Sequence, residues 1–291
     1  MQRRYKVVDV FTAKPLKGNP VAVVLDAEGL DDATLQGIAR WTNLSETTFF
    51  LPATQAGADY RLRIFTPGGE LPFAGHPTLG SAHAALEAGL ITARDHRLLQ
   101  QCGIGLVKLK IDPAPGSGHL WLQLPPARAQ ALGAEDVAEL EAALGARVDA
   151  SATPSAIDVG PVWITARLAD AAQVLALEPD MSRLAALTRR LRATGVTVFG
   201  TQAPGSESAI EVRSFAPSAG VPEDPVCGSG NGSVAAFQRA RGLLAAGGGA
   251  YLATQGRCLG RDGRVSVRVE ASGSIWLGGA CITCVDGSLS V

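Results

Sequence analysis

An excess of charge, a long apolar run and an even set of cysteines are all missing from this 291-residue sequence. Its 26 Lys and Arg against 27 Asp and Glu leave a formal net charge of −1. Such a balance makes no basic field, so neither nucleic acid nor an anionic membrane surface is expected as a partner. The longest apolar runs, such as Val21 to Leu25, fall far short of the ~20 residues that a helical membrane span needs. Five cysteines, an odd number, make no disulfide framework. The start, Met1-Gln2-Arg3-Arg4-Tyr5, runs straight into an alternating segment, without the apolar stretch and small-residue cleavage site of a secretory signal. A reduced cytoplasm is therefore the expected location. The 5 Lys against 21 Arg read as a coding bias.

Glycine is what the chain has in excess. Its 34 residues are about 12% of the total, against a usual share near 7%. An apolar share of 46% excludes a disordered chain. The length suggests two domains or one large one, ample for a core without metal or disulfide staples.

Lys6–Phe11 and Pro20–Leu25 read as strands joined in a hairpin through Gly18-Asn19. Asp31 and Asp32 offer an acidic cap to a helix from Ala33 to about Thr42. Thr47–Leu51 and Tyr60–Phe65 are predicted strands, Pro72–Pro77 a turn, and Thr78–Ala88 a helix ended by Gly89. Further strands are predicted near Gly105–Ile111, His119–Leu124 and Val162–Thr165, and helices at Ala134–Leu144, Arg183–Ala193 and Ser233–Arg241. The last forty residues are strand-like again. Linker chemistry falls at Asp112–Gly118 and Leu124–Arg128. Few helices occur per strand, which points to antiparallel or mixed sheets.

The chain also repeats itself. Arg63-Ile64-Phe65-Thr66-Pro67 recurs as Arg213-Ser214-Phe215-Ala216-Pro217, and Leu71-Pro72 as Val221-Pro222, both at an offset of 150. Glu223-Asp224-Pro225 reads as an insertion, after which Gly75 matches Gly228 and Gly89-Leu90 matches Gly242-Leu243 at 153. Upstream, Ile38–Phe50 aligns with Leu187–Phe199 at 149. So long a period means two related domains rather than a solenoid.

Each half then presents a glycine-bearing turn before a helix, Gly75-His76-Pro77 in one and Cys227-Gly228-Ser229-Gly230 in the other. Helix N-termini bind carboxylate or phosphate through backbone N–H groups, and two related halves facing across a cleft would make a small-molecule site. The halves differ where it matters chemically. Glu46 aligns with Gly195, His76 with Ser229 and Ala74 with Cys227, whereas Asp224 has no counterpart. Asymmetric ionisable groups on a symmetric frame suit proton transfer.

These segments resemble the phenazine biosynthesis PhzF-like family of the diaminopimelate-epimerase-like superfamily. The stretches that carry the resemblance are Val8–Phe11, Pro15–Val23, Leu44–Phe49, Arg63–Pro67, Glu70–Pro77 and Glu223–Pro225. The resemblance implies an α+β fold of two pseudo-symmetric domains, each a mixed β-sheet wrapped around a central helix, with the active site in the cleft between them. On that pattern the domains are 1–118, to which the last strand, 280–291, can return, and 119–280. It also implies a homodimer and isomerase or epimerase chemistry without a cofactor or metal. By the same carry-over Glu46 is the general base, and His76 and Asp224 position the substrate and relay protons. Gly75, Gly228, Ser229 and Cys227 then line the carboxylate site of a small amino acid or cyclic hydroxy-amino acid.

Cys227 departs from the phenazine enzyme, which has threonine there, and looks like one cysteine turn of the two-cysteine epimerases, whose other cysteine is Ala74 here. An alternative is therefore an epimerase or racemase with Glu46 and Cys227 as opposing acid and base, the thiol being activated by its helix N-terminus. A non-catalytic metabolite-binding protein is a third reading. Cys281 and Cys284 have the spacing of a metal half-site, but on a strand they point to opposite faces. His83, His96 and His119 show no ligand spacing.

Overall fold

The computed structural model describes residues 1–113, 118–245 and 247–291. The chain divides into two units, Met1–Gln123 with Gly278–Val291, and Leu124–Leu277. The Asp112–Gly118 stretch expected as a linker includes residues 114–117, which lie outside the described residues.

The first unit is built from β1 (Gln2–Val10), β2 (Asn19–Val24), α1 (Asp32–Thr42), β3 (Thr47–Leu51), β4 (Tyr60–Thr66), β5 (Gly69–Leu71), α2 (Gly75–Glu87), β6 (Arg97–Cys102), β7 (Gly105–Ile111) and β8 (His119–Gln123). The second contains β9 (Arg128–Ala131), α3 (Ala134–Leu144), β10 (Ser155–Asp158), β11 (Val162–Arg167), α4 (Ala171–Leu175), α5 (Met181–Arg190), β12 (Gly195–Thr201), β13 (Ile210–Ala216), β14 (Val221–Asp224), α6 (Gly228–Ala240), β15 (Gly249–Gln255) and β16 (Gly263–Val269). The last strand, β17 (Ile275–Ser290), begins in the second unit and runs on through the first.

In the first unit the strands close on themselves. β1 pairs antiparallel with β2, β2 parallel with β3, β3 antiparallel with β4, and β4 parallel with β6. Then β6, β7 and β8 follow antiparallel, and β17 pairs with both β8 and β1. The result is an eight-stranded barrel without free edges. Helix α2 packs on β1, β2, β3, β4 and β8, and most of its residues are buried. On the outer face α1 lays Leu35, Ile38 and Ala39 on Val24, Phe49 and Phe65. Strands covered on both faces read as continuous apolar runs, and Val21–Val24 is buried throughout.

The second unit repeats the pairing order. β9, β10 and β11 are antiparallel, β11 and β12 parallel, β12 and β13 antiparallel, β13 and β15 parallel, and β15 and β16 antiparallel. Helix α6 packs on β9, β10, β11, β12 and β16, with α3 and α5 outside over a core of Leu140, Leu184, Leu187, Val196, Val198 and Phe215. Each unit is thus the expected mixed sheet around a central helix.

Two sequence expectations are corrected. Both central helices begin earlier than predicted: α2 at Gly75 rather than Thr78, and α6 at Gly228 rather than Ser233. Pro77 falls in the first turn of α2, where its missing N–H is not needed. Gly230 and Gly232 of α6 are contact residues within the helix. A Cβ on Gly230 would lie 2.5 Å from the Ser214 hydroxyl oxygen and 2.9 Å from that of Thr197. The second correction concerns the insertion. Ile64 faces Leu71 and Ser214 faces Asp224, so the matched residues are Leu71 and Asp224. The extra residues sit instead in the Pro217–Gly220 turn and a register shift beside it. Glu70 and Glu223 then also match, and each grips the arginine of its own unit. Arg63 binds Glu70 at 2.8 and 2.6 Å, and Arg213 binds Glu223 at 2.9 and 2.8 Å.

Candidate active site

In the first unit the chain leaves α1 through Asn43, which adopts a left-handed φ of 52°, a conformation that Asn tolerates. It re-enters the sheet at Glu46, whose carbonyl accepts from the Ala22 N–H at 3.4 Å as β3 aligns on β2. The hydroxyls of Thr42 and Thr47 bond at 2.7 Å and close this turn. Glu46 therefore stands at the entrance of a buried strand, its side chain 15% exposed.

His76 lies in the first turn of α2, also buried, with Nε2 3.3 Å from Glu46 Oε2. Its Nδ1 is 3.4 Å from Asn19 Nδ2. An amide nitrogen only donates, so Nδ1 accepts, and a neutral imidazole then carries its proton on Nε2, facing Glu46. Asn19 is held in place by the turn before it, where the Gly18 N–H donates to buried Asp9 Oδ2 at 3.0 Å. Only glycine fits there, because a Cβ would come within 2.1 Å of the Val10 carbonyl oxygen.

Burial pushes the Glu46 carboxyl up to about 7, against a smaller opposing effect of its hydrogen bond with Ser45. A carboxyl that titrates near neutrality can both take and return a proton. Ala74 caps α2 without a side-chain hydrogen bond, and Gly75, where the helix starts, is buried.

In the second unit Asp224 ends β14 and accepts the Val226 N–H at 3.0 Å, an Asx turn. Cys227 caps α6, its Sγ accepting the Gly230 N–H at 3.2 Å. Burial pushes this thiol well above its ordinary value, and the Asp224 charge adds to the rise. Burial thus works against the thiol activation expected from the helix N-terminus. Gly228 begins the helix, and the Ser229 hydroxyl accepts from Trp163 Nε1 at 3.0 Å. Gln255 braces the turn. It accepts from the Cys227 N–H at 3.1 Å and from Asn231 Nδ2 at 2.8 Å, and donates to the Asp224 carbonyl at 3.0 Å.

The structure thus gathers Glu46, Gly75 and His76 in the first unit, and Asp224, Cys227, Gly228 and Ser229 in the second. Asn19, Trp163 and Gln255 were not among the sequence candidates. Asn19 lies in a stretch read as a hairpin turn and as part of the family resemblance, with no role assigned to it, while Trp163 and Gln255 stand on strands with no local signal. Among the described residues, no group of three or more His, Cys, Asp or Glu is placed to hold a metal ion. No helix among them is long and apolar enough to cross a membrane.

Comparison with known proteins shows the family. Residues 8–287 match the family described as phenazine biosynthesis-like protein. The chain belongs to that family. A Schizosaccharomyces pombe member, antisense-enhancing sequence 1, is 41% identical, covering 98% of each chain. The Pseudomonas aeruginosa trans-2,3-dihydro-3-hydroxyanthranilate isomerase is 37% identical, over 93% of this chain and 91% of its own. A crystal structure of a Bacillus anthracis PhzF-family protein superposes over the whole of both chains with a TM-score of 0.89 at 23% identity, a likeness of fold. Membership makes the protein an enzyme of the isomerase and epimerase class.

Proposed function

We propose that this enzyme is a one-base isomerase of a small carboxylic acid, with Glu46 as the base. Its substrate class is the cyclic, unsaturated hydroxy-amino acid that its Pseudomonas relative is named for, or a close analogue. The observation that carries the reading is a buried carboxyl titrating at about 7 beside an imidazole at 3.3 Å. Glu46 removes a proton from the carbon next to the unsaturation, and the C–H electron pair moves into the adjacent π system. The protonated Glu46 exchanges its proton with solvent and delivers one to the far carbon of that system, so one proton leaves, one enters, and the substrate's composition is unchanged.

His76, with its proton on Nε2, orients the carboxylate of Glu46 and follows the proton. Asp224 holds a polar group of the substrate. Gly75 and the Gly228-Ser229 turn bind the substrate carboxylate, Cys227 remaining a neutral thiol that caps its helix. A racemase with Cys227 as the opposing base would need that thiol as thiolate in one of its two directions, which the burial of that sulfur opposes. Cofactor independence, a homodimer and a cytoplasmic location belong to the same proposal.

A panel of amino and hydroxy acids in D₂O, read by NMR, tests it. We expect wild-type enzyme to move a double bond in one cyclic acid, with deuterium entering at a single carbon. Tight binding without exchange by any acid would mean a binding protein instead.

A further inference from the structure

We infer that Trp163 is a positioning residue for the carboxylate-binding turn, and that its indole occupies the place where a second base would stand. The inference rests on the one-base reading above. At the offsets of the internal repeat, Glu46 corresponds to Gly195 and His76 to Ser229. In the first unit these positions hold a carboxylate and an imidazole 3.3 Å apart. In the second they hold no side chain and a hydroxyl.

Trp163 explains both differences. It pairs with Gly195 across the parallel strands β11 and β12. A Cβ on Gly195 would lie 2.6 Å from Cζ3 of the indole and 2.3 Å from the Phe215 carbonyl oxygen, so no side chain fits. The ring is only 3% exposed, which fixes it in place. Its Nε1–H reaches the Ser229 hydroxyl oxygen at 3.0 Å.

An indole nitrogen only donates, so Ser229 must accept from it. The serine's own proton is then turned away from Trp163. The sulfur of Cys227 at 3.6 Å offers it only a weak acceptor. Ser229 is thereby set as a donor, suited to a carboxylate oxygen. One residue thus supplies a polar anchor and keeps the second unit free of a base.

The test is a double-mutant cycle of Trp163→Phe and Ser229→Ala, with the acid of the D₂O panel that wild type turns over. For an acid that binds without exchanging, Kd by calorimetry replaces KM. Phenylalanine removes the donor while keeping an aromatic side chain at the position. We expect KM to rise roughly tenfold in each single variant, the scale of one hydrogen bond to a charged group. Turnover should stay within about twofold, and the rising limb of the pH profile should stay where Glu46 sets it. In the Ser229→Ala background Trp163→Phe should add nothing. Fully additive effects, or a change in kcat or pH profile at constant KM, would overturn the inference. The Trp163 indole N–H resonance offers a readout that leaves the ring intact: it should move in Ser229→Ala, and an unmoved resonance would also overturn it. Failure of the base reading shows separately, as exchange that survives Glu46→Gln.

Discussion

Glu46 owes its chemistry to its place: one carboxyl at the entrance of a buried strand, raised to about 7 because water is largely excluded. As the proposed base it must be deprotonated, so kcat/KM should rise tenfold per pH unit below about 7 and level off above it. A profile flat between pH 5 and 8 would contradict this. The same burial has a cost in stability. The folded value lies above the ordinary 4.5, so the fold favours protonated Glu46. That advantage is complete below about pH 4.5 and is lost as pH rises through about 7. A shift of this size corresponds to about 3 kcal/mol. Glu46→Gln, neutral at every pH, should therefore gain on wild type by up to that amount between pH 4 and pH 8, measured by urea unfolding. A difference that stays constant with pH would count against it. Asn19→Leu removes the donor to His76 Nδ1. Nitrogen-detected NMR of His76 should then show both tautomers in place of one, with kcat lowered roughly tenfold, the scale of one lost hydrogen bond.

At the scale of elements, the two central helices decide where the site groups point. Gly80 lets α2 lie on the barrel wall: a Cβ there would be 2.4 Å from Val21 Cγ1 and 2.9 Å from Val10 Cγ2. Both neighbours are β-branched and stiff. Gly80→Ala should cost about 1–3 kcal/mol by overpacking, more than the ~1 kcal/mol gained in helix propensity. Thermal unfolding of the variant checks the sign.

Several strands and the bodies of both central helices were legible because period and composition carry them. Thr47–Leu51, Gly105–Ile111 and Ala134–Leu144 fall on the predicted residues. The helix starts were not legible. Gly75-His76-Pro77 and Gly228-Ser229-Gly230 have the composition of turns, and only packing against the sheet shows that they are helix. Glu46 and His76 could be picked out because the first half differs there from its repeat. Asn19 and Trp163 could not, since a hydrogen bond between residues 57 or 66 apart leaves no trace in local spacing.

Across the whole chain, the repeat shows in the helices themselves: α2 and α6 each span 13 residues and match end to end at an offset of 153. β17 joins the ends of the chain to this plan. It pairs with β1 from Gln2 to Val10, and Asp286 reaches buried Lys6 at 2.7 Å, with Glu87 of α2 at 2.8 Å on the same ammonium. Truncation after Leu277 removes the strand that closes the first barrel. The amide resonances of residues 1–123 should then lose their dispersion, and a native-like spectrum for that unit would show that closure is dispensable.

Deuterium exchange by Glu46→Gln is the most direct measurement. Glutamine keeps the size of the side chain and cannot take a proton. If Glu46 is the one base, the variant still binds the acid that wild type isomerises but places no deuterium in it over many wild-type turnovers. Exchange at a rate near that of wild type would contradict the assignment.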